Sequence, residues 1–248
     1  MKSGSRESKE AGTAEGVRRI LARLESLGSA RDREGMARFG IVSARAFGVS
    51  MPVLRDMARA HRRDHELALA LWEAGWHETR LLACIVEDAA QVTPAQMDAW
   101  ARDFDNWAVC DTACFQLFDR TPHAWGKARQ WAKRRDEFTR RGAFAILAGL
   151  AVHAKRMADE PFIDALPLIE AAAGDGRNFV KKAVSWALRE IGKRRFALHA
   201  PCVEVARRLA ASTDPAARWV GRDALREFAS EKIVARFGEQ ARPRNPVD

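Results

Sequence analysis

The sequence lacks the signals of a membrane or secreted protein. No apolar run approaches the length of about 18 residues that a membrane-spanning helix needs. The N-terminal segment MKSGSRESKEAGTAEG is polar and has no apolar core like that of a signal peptide. Strand signals are also missing, because no stretch alternates convincingly between apolar and polar residues and no Asn-Gly turn separates two apolar runs. We therefore expect a cytoplasmic protein without membrane contact, a disordered tail over residues 1–15, and no β-sheet.

Metal-binding and disulfide patterns are missing as well. The sequence has only four cysteines, Cys84, Cys110, Cys114 and Cys202, with no CxxC motif and no Cys/His spacing typical of zinc sites. The six histidines give no metal signature, because the motif at His77 reads HExxL rather than HExxH. Reduced, buried thiols are therefore predicted, and neither a metal nor a cofactor is expected.

Acidic residues are too few to balance the basic ones. The chain has 42 Lys and Arg against 33 Asp and Glu, which gives a net charge of +9. The surplus lies after Lys127, where basic residues gather in the segments 133–135, 140–141, 181–182, 193–195 and 207–208. Clustering of this kind predicts a polyanionic partner, most often nucleic acid. The alternative is a soluble protein that merely happens to be basic.

Helical patterning runs from Gly16 to Phe237 and predicts an all-α protein. Three segments align as a loose internal repeat, namely RRGAFAIL at Arg140, KKAVSWAL at Lys181 and RWVGRDAL at Arg218. Their starts are 41 and 37 residues apart, which is in the range of two-helix HEAT-like repeats. We predict a HEAT-like solenoid, an α-α superhelix, that forms a single domain over residues 16–238. Its equivalent helices would bring their basic starts to one concave face, and residues 239–248 are expected to be frayed.

One short stretch, DNWAVCDTAC, carries the most unusual chemistry of the chain. Trp107 and Asp111 are four residues apart with no Gly or Pro between them, so a helix places them on one face. Two later helices offer an arginine pair and Trp186, so two indoles, one carboxylate and a guanidinium could converge. The alternative interpretation is that the tryptophans are core and that Asp111 caps a helix or forms a salt bridge. Glu190, one turn after Trp186, is the rival carboxylate, although its basic neighbours favour a solvated surface charge.

These segments resemble a known family, the AlkD-like DNA alkylation repair enzymes, which are alkylpurine DNA glycosylases built from HEAT-like repeats. The resemblance runs from about Met36 to Phe228. It rests on MARF at Met36, AFGVSMPVLR at Ala46, LWEAGWHETRLLA at Leu71, NWAVCD at Asn106, RRGAFAIL at Arg140 and FVKKAVSWALREIGK at Phe179. The last is the most specific, and the order and spacing of all six carry the assignment. Some family members have tyrosine where this chain has Phe39.

The resemblance implies a C-shaped solenoid that holds duplex DNA in a basic concave groove. It also implies a catalytic aspartate and two tryptophans, assisted by an arginine. By motif position these are Asp111, Trp107 and Trp186, with Arg141 as the arginine and Arg140 as the alternative register. The predicted DNA-binding residues are Arg140, Lys181, Lys182, Arg189 and Lys193. The expected partner is duplex DNA containing alkylated bases, and the protein is expected to act as a monomer.

These residue types suit the hydrolysis of one kind of glycosidic bond. A purine alkylated at N7 or N3 is cationic and leaves readily, and its departure develops positive charge on the sugar. A carboxylate stabilises that charge and orients a water, and indole faces favour a nearby cation. No lysine has the apolar surroundings of a Schiff-base catalyst, so a monofunctional glycosylase is predicted. The alternative is a non-catalytic HEAT-like module that binds nucleic acid or protein.

Overall fold

The computed structural model describes residues 3–238, with side chains described from residue 11. Within that range the chain is helical throughout and contains no strand, which confirms the all-α prediction. The residues group into two compact units, the first ending at Thr121 and the second beginning at Pro122. The predicted single domain over residues 16–238 stays a prediction, and the predicted frayed end, residues 239–248, lies outside the described residues.

The first unit contains seven α-helices and two short 3-10 helices in its described part. The α-helices are α1 (Ser3–Leu27), α2 (Ala30–Arg38), α3 (Met51–Met57), α4 (His65–Glu73), α5 (His77–Val86), α6 (Pro94–Arg102) and α7 (Trp107–Gln116). The 3-10 helices are Ala58–His61 and Phe118–Arg120. The core of this unit is aromatic, with the rings of Trp72 and Trp100 stacked 4.0 Å apart at an angle of 3°.

The second unit contains eight α-helices in its described part. They are α8 (Ala124–Trp131), α9 (Glu137–His153), α10 (Glu160–Ile163), α11 (Leu166–Ala172), α12 (Asn178–Arg194), α13 (Phe196–Ala210), α14 (Pro215–Phe228) and α15 (Glu231–Phe237). Helix α9 is buried along residues 141–151 and packs against α8 and α12, while α14 packs against α12 and α13. The three repeat segments therefore fall on α9, α12 and α14, which are the helices at the centre of this unit.

Two boundaries differ from those that the sequence predicted. Helix α1 begins at Ser3, where a disordered tail over residues 1–15 was expected. The segment is rich in Ala, Glu, Lys and Arg, which favour helix even without an apolar stripe, and Glu15 pairs with Arg18 and Arg19 one turn on. The sequence also predicts one helix over residues 161–173, which the structure divides into α10 and α11. Pro167 lies in the first turn of α11, where its missing N–H is tolerated.

Helix ends follow the capping signals of the sequence. Thr93 caps α6 by accepting the N–H of Gln96, with Pro94 as the first helical residue. Ser50 occupies the N-cap position of α3, but its side chain makes no capping hydrogen bond there. All four cysteines are buried as free thiols, as the sequence predicted, and burial raises the pKa of the Cys84, Cys114 and Cys202 thiols.

Candidate active site

Helix α7 presents Trp107 and Asp111 one turn apart. The helix begins at Trp107 because Asn106 caps it, its side-chain oxygen accepting the N–H groups of Ala108 at 3.0 Å and Val109 at 3.1 Å. Trp107 and Asp111 are both half-buried. Val109, Cys110 and residues 112–114, which lie on the other sides of α7, are buried. The helix therefore sets the indole and the carboxylate on one face, as the spacing predicted.

The indole of Trp107 is fixed by a backbone group of a distant helix end. Its Nε1–H donates to the carbonyl oxygen of Phe39 at 2.8 Å. Phe39 is the C-cap of α2 and is itself 72% exposed. A single hydrogen bond from the ring edge restrains rotation of the indole, so the face of Trp107 has a defined direction. The sequence could not reveal this partner, because a backbone carbonyl leaves no mark on residue identity.

A buried carboxylate holds the segment that leads to α3, defined here as the strap, residues 45–49. Glu78 of α5 is fully buried and accepts three backbone N–H groups, from Phe47 at 2.9 Å, Gly48 at 2.7 Å and Val49 at 3.2 Å. Gly48 has a φ of +80°, and a Cβ there would lie 2.4 Å from the carbonyl oxygen of Ser29. Only glycine therefore allows the strap to approach the start of α2 this closely.

The strap is connected to α2 and hence to the partner of Trp107. The N–H of Ser29, the N-cap residue of α2, donates to the carbonyl of Phe47 at 2.9 Å. Helix α2 then runs from Ala30 to Arg38 and ends at Phe39, whose carbonyl accepts the indole N–H. The position of Trp107 thus depends on a chain of hydrogen bonds that begins at a carboxylate outside the candidate site.

Polar side chains also stabilise the N-terminal end of α7. Arg80 donates to the carbonyl of Asp103 at 3.0 Å and forms an ion pair with Asp105 at 3.7 Å. Asn106 donates to Asp105 at 2.6 Å, and its amide nitrogen lies 3.5 Å from Nδ1 of His77. Burial lowers the pKa of His77, which favours the neutral imidazole beside this cap. Sequence analysis did not identify Arg80 or Asp105 as supports for this helix.

In the second unit, Arg141 forms a hydrogen bond to the helix that carries Trp186. Arg141 of α9 is buried, and its Nη1–H donates to the carbonyl oxygen of Phe179 at 2.6 Å, in the first turn of α12. Trp186 follows two turns later on α12 and is half-buried. Arg141 therefore acts on the start of α12 through a backbone oxygen. The predicted convergence of Trp107 and Asp111 with Trp186 and Arg141 stays a prediction, since the two pairs belong to different units.

Several of the predicted DNA-binding residues form ion pairs with acidic residues. Arg140 forms an ion pair with Asp175 at 3.2 Å. Arg189 pairs with Asp223 at 3.5 Å and with Glu227, and Lys193 pairs with Glu227 as well. These contacts tie α12 to α14 and draw positive charge away from solvent.

The remaining residues of the predicted set differ in their surroundings. The ammonium of Lys181 lies 5.1 Å from the ring centre of Trp219 on α14, while Lys182 is exposed. The rival carboxylate, Glu190, forms an ion pair with Lys193 at 2.9 Å. Lys182 is therefore the predicted contact that the fold leaves most accessible to a phosphate.

Comparison with known sequence families gives a match over most of the chain. The profile of the family described as DNA alkylation repair enzyme matches residues 20–228. The chain belongs to this family. No curated protein sequence matches the chain.

A solved structure has a fold similar to that of this member of the DNA alkylation repair family. Its protein is from what is described as a new family of proteins related to the HEAT-like repeat DNA glycosylases with affinity for branched DNA structures. The similarity has a TM-score of 0.69 at 17% sequence identity, and it covers 85% of this chain and 94% of the other. The HEAT-like repeat fold that the spacing of the repeats and the family resemblance predicted is therefore confirmed.

Membrane-spanning helices and clusters of metal ligands are two further features to consider in this member of the DNA alkylation repair family. Between residues 3 and 238, no helix combines the length and apolar composition that a bilayer span requires. The same part of the chain contains no group of three or more His, Cys, Asp or Glu arranged to hold a metal ion.

Proposed function

We propose that this protein is a monofunctional DNA glycosylase that hydrolyses the N-glycosidic bond of cationic alkylated purines in duplex DNA. Its substrates would include 7-methylguanine and 3-methyladenine. The observation that carries the proposal is the pairing on α7, where a half-buried carboxylate lies one turn from a half-buried indole. Membership of the DNA alkylation repair family supports it.

Asp111 is assigned the central role. Loss of a cationic base leaves positive charge on the deoxyribose, and a nearby carboxylate lowers the energy of that transition state. The same carboxylate orients the water that captures the sugar. No strong general acid is assigned, so a neutral base is not protonated for departure. The enzyme should therefore select lesions that already carry a charge.

Trp107 and Trp186 are assigned to the sugar and its developing charge. An indole face stabilises a cation by roughly 0.5–2 kcal/mol, and more where water is excluded. The hydrogen bond from Trp107 to Phe39 supports this role, because it orients the ring before substrate arrives. Arg141 is assigned a positioning role, supported by its hydrogen bond to the first turn of the helix that bears Trp186.

The test is single-turnover release of 7-methylguanine from duplex DNA by Asp111→Asn. This substitution keeps the shape of the side chain and removes its charge, so excision should slow by about 10²-fold or more. Affinity for the duplex should hold or rise, because a negative charge has been removed from a surface that faces phosphates. Asp56→Asn is the matched control, since Asp56 is an exposed carboxylate of the same unit. Equal rates for Asp111→Asn and the parent protein would remove Asp111 from the mechanism.

The second candidate is a non-catalytic module that binds branched DNA. It is supported by the similar solved structure, whose family is described as having affinity for branched DNA structures. The pairing of Arg189 and Lys193 with acidic residues is compatible with either candidate. A four-way junction and a duplex of equal length distinguish them by affinity. Tighter junction binding together with no detectable base release would favour the binding module, whereas base release abolished by Asp111→Asn would favour the glycosylase.

A further inference from the structure

A basic cleft lies in the second unit, at the end of α12 opposite its first turn. Its volume is about 240 Å³, and it is bordered by the last turns of α9 and α12 and by α15. Five cationic side chains line it, namely Lys155, Lys193, Arg194, Lys232 and Arg236. Among the predicted DNA-binding residues only Lys193 belongs to this set, so the cleft was not identified from the sequence.

The charges around the cleft do not cancel. Two carboxylates, Glu190 and Glu227, line it together with the five cations, which leaves a surplus of three positive charges. Lys193 is hydrogen-bonded to both carboxylates, so this part of the lining is already paired. The surplus charge therefore rests on Lys155, which follows α9, on Arg194 at the end of α12, and on Lys232 and Arg236 of α15.

Arg194 gives a second, independent indication of an anionic ligand. Its side chain is only 3% exposed, and its terminal nitrogens donate to the carbonyls of Ala151, Ala154 and Met157 at 2.6–3.0 Å. Its Nε is buried without a hydrogen-bond partner among the described residues. The guanidinium forms a long ion pair with Asp159 at 3.9 Å and lies 4.5 Å from the ring centre of Phe162. Burial lowers the pKa of Arg194, as does neighbouring Arg195. The guanidinium is thus held by carbonyls, a ring face and a long ion pair, and its Nε–H is a buried donor that still lacks an acceptor.

We propose that this cleft binds a phosphate group, and that the phosphate belongs to the backbone of DNA. The identity of that partner rests on the proposed function. Phosphate suits the cleft because arginine and lysine side chains are the groups that proteins use for it, and because DNA supplies phosphates at regular intervals. The cleft would add a fixed anchor to the more accessible surface at Lys182.

The cleft lies at a defined distance along α12 from Trp186, the residue of this unit that is assigned to the sugar. Lys193 follows Trp186 by seven residues on α12, which corresponds to about 10 Å along the helix axis. Because base pairs rise about 3.4 Å each, a duplex lying along α12 would be anchored about three base pairs from the sugar at Trp186. An anchor there fixes the register of the strand without reading its sequence.

Glu227 is placed to compete with the phosphate. Its carboxylate bonds Lys193 and also Arg189, so an incoming phosphate would have to share or replace one of these contacts. Removing its charge by Glu227→Gln should therefore raise the affinity of the cleft for phosphate. No change or a decrease in affinity would contradict the competition.

The first experiment observes Arg194 directly. Inorganic phosphate is titrated into the full chain while the Nε–H signal of Arg194 is followed by NMR. A saturable shift is expected in the parent protein and in Arg156→Glu, with binding at least tenfold weaker in Lys232→Glu. Lys232 and Arg156 are both exposed and the substitutions change the charge equally, but only Lys232 lines the cleft. The absence of a saturable shift in the parent protein, or equal affinities in the two variants, would overturn the phosphate site.

The second experiment identifies the source of the phosphate. Binding of an unmodified duplex is measured against salt concentration for the same two variants. Lys232→Glu should reduce the salt slope by about one unit relative to Arg156→Glu, and the duplex should displace inorganic phosphate from the parent protein. A phosphate signal without displacement and with equal slopes would overturn the DNA assignment and favour a free phosphate or nucleotide. Neither experiment measures base release, so failure of the Asp111 test leaves this proposal standing.

Discussion

Replacing Glu78 by glutamine tests whether the strap positions Trp107. The substitution is nearly isosteric, but it removes the charge and turns one acceptor into a donor. Oε1 accepts from Gly48 and Val49, and Oε2 accepts from Phe47. A glutamine that keeps its oxygen in the place of Oε1 must point its NH₂ group at the N–H of Phe47. Two donors then face each other in a fully buried site.

The expected loss follows from these three contacts. A buried N–H without an acceptor costs about 1–3 kcal/mol, and the two remaining bonds lose charge assistance worth about 1 kcal/mol each. Relief from burying a charge offsets part of this sum. We therefore expect Glu78→Gln to lower the free energy of unfolding by about 2–4 kcal/mol, which is a large share of the 5–15 kcal/mol typical of a domain.

The assay is urea denaturation, combined with hydrogen exchange at the strap amides. Exchange at Phe47 should accelerate most, because its N–H loses the only acceptor that it has on Glu78. The indole N–H signal of Trp107 should shift or broaden, since the strap orders α2 and α2 ends at Phe39. Glu73→Gln is the control, because Glu73 is exposed on α4 of the same unit, and it should change stability by no more than about 0.5 kcal/mol. A loss below 1 kcal/mol for Glu78→Gln would refute the buried-clamp argument, and an unchanged Trp107 signal would refute its link to the candidate site.

Two further predictions concern the second unit. Gly221→Ala should destabilise the protein by about 2 kcal/mol or more in thermal unfolding, because a Cβ there would lie 2.3 Å from the backbone nitrogen of Ala210, whereas Gly126→Ala has open space and should be neutral or stabilising. Burial acts to raise the pKa of Glu227, but hydrogen bonds from Lys193 and Arg189 outweigh it and hold the pKa below its ordinary value of 4.5. Its contribution is therefore complete above about pH 4.5 and is lost as pH falls through the folded pKa, so the stability difference between the parent protein and Glu227→Gln should shrink below pH 4.5. A difference that is constant from pH 7 to pH 3 would show that the charge of Glu227 contributes nothing.

Apolar periodicity and capping residues predicted most of the helices because those signals are local. Thr93, followed by Pro94, caps α6 as this residue pair predicts, and the repeat segment KKAVSWAL lies within α12. The helical extension from Ser3 to residue 15 was not predicted, because its polar residues favour helix by propensity and pairing rather than by an apolar stripe. Propensity is a weak signal in a single sequence, whereas periodicity reflects burial and is strong.

The sequence predicted which side chains form the candidate site, but it did not predict the contacts that hold them in position. Sequence spacing placed Trp107 and Asp111 on one face because helix geometry fixes residues four apart. It gave no access to the carbonyl of Phe39 or to the carboxylate of Glu78, which hold that face in position. These contacts join residues at least 29 positions apart and involve backbone atoms. Such contacts depend on the packed fold, so residue identities alone do not reveal them.

The charge surplus of the second half also has a different meaning once the fold is known. The sequence predicted phosphate contacts at five basic residues of the repeat helices, namely Arg140, Lys181, Lys182, Arg189 and Lys193. Helix α14 supplies Asp223 and Glu227, which pair with Arg189 and Lys193 and stabilise the contact between adjacent repeats. A basic residue that stabilises a helix interface is partly neutralised before DNA arrives, because a phosphate must first compete with its carboxylate. We therefore expect the number of phosphate contacts to depend on which cations lack such a competitor, and the exposed Lys182 and Lys232 meet that condition best.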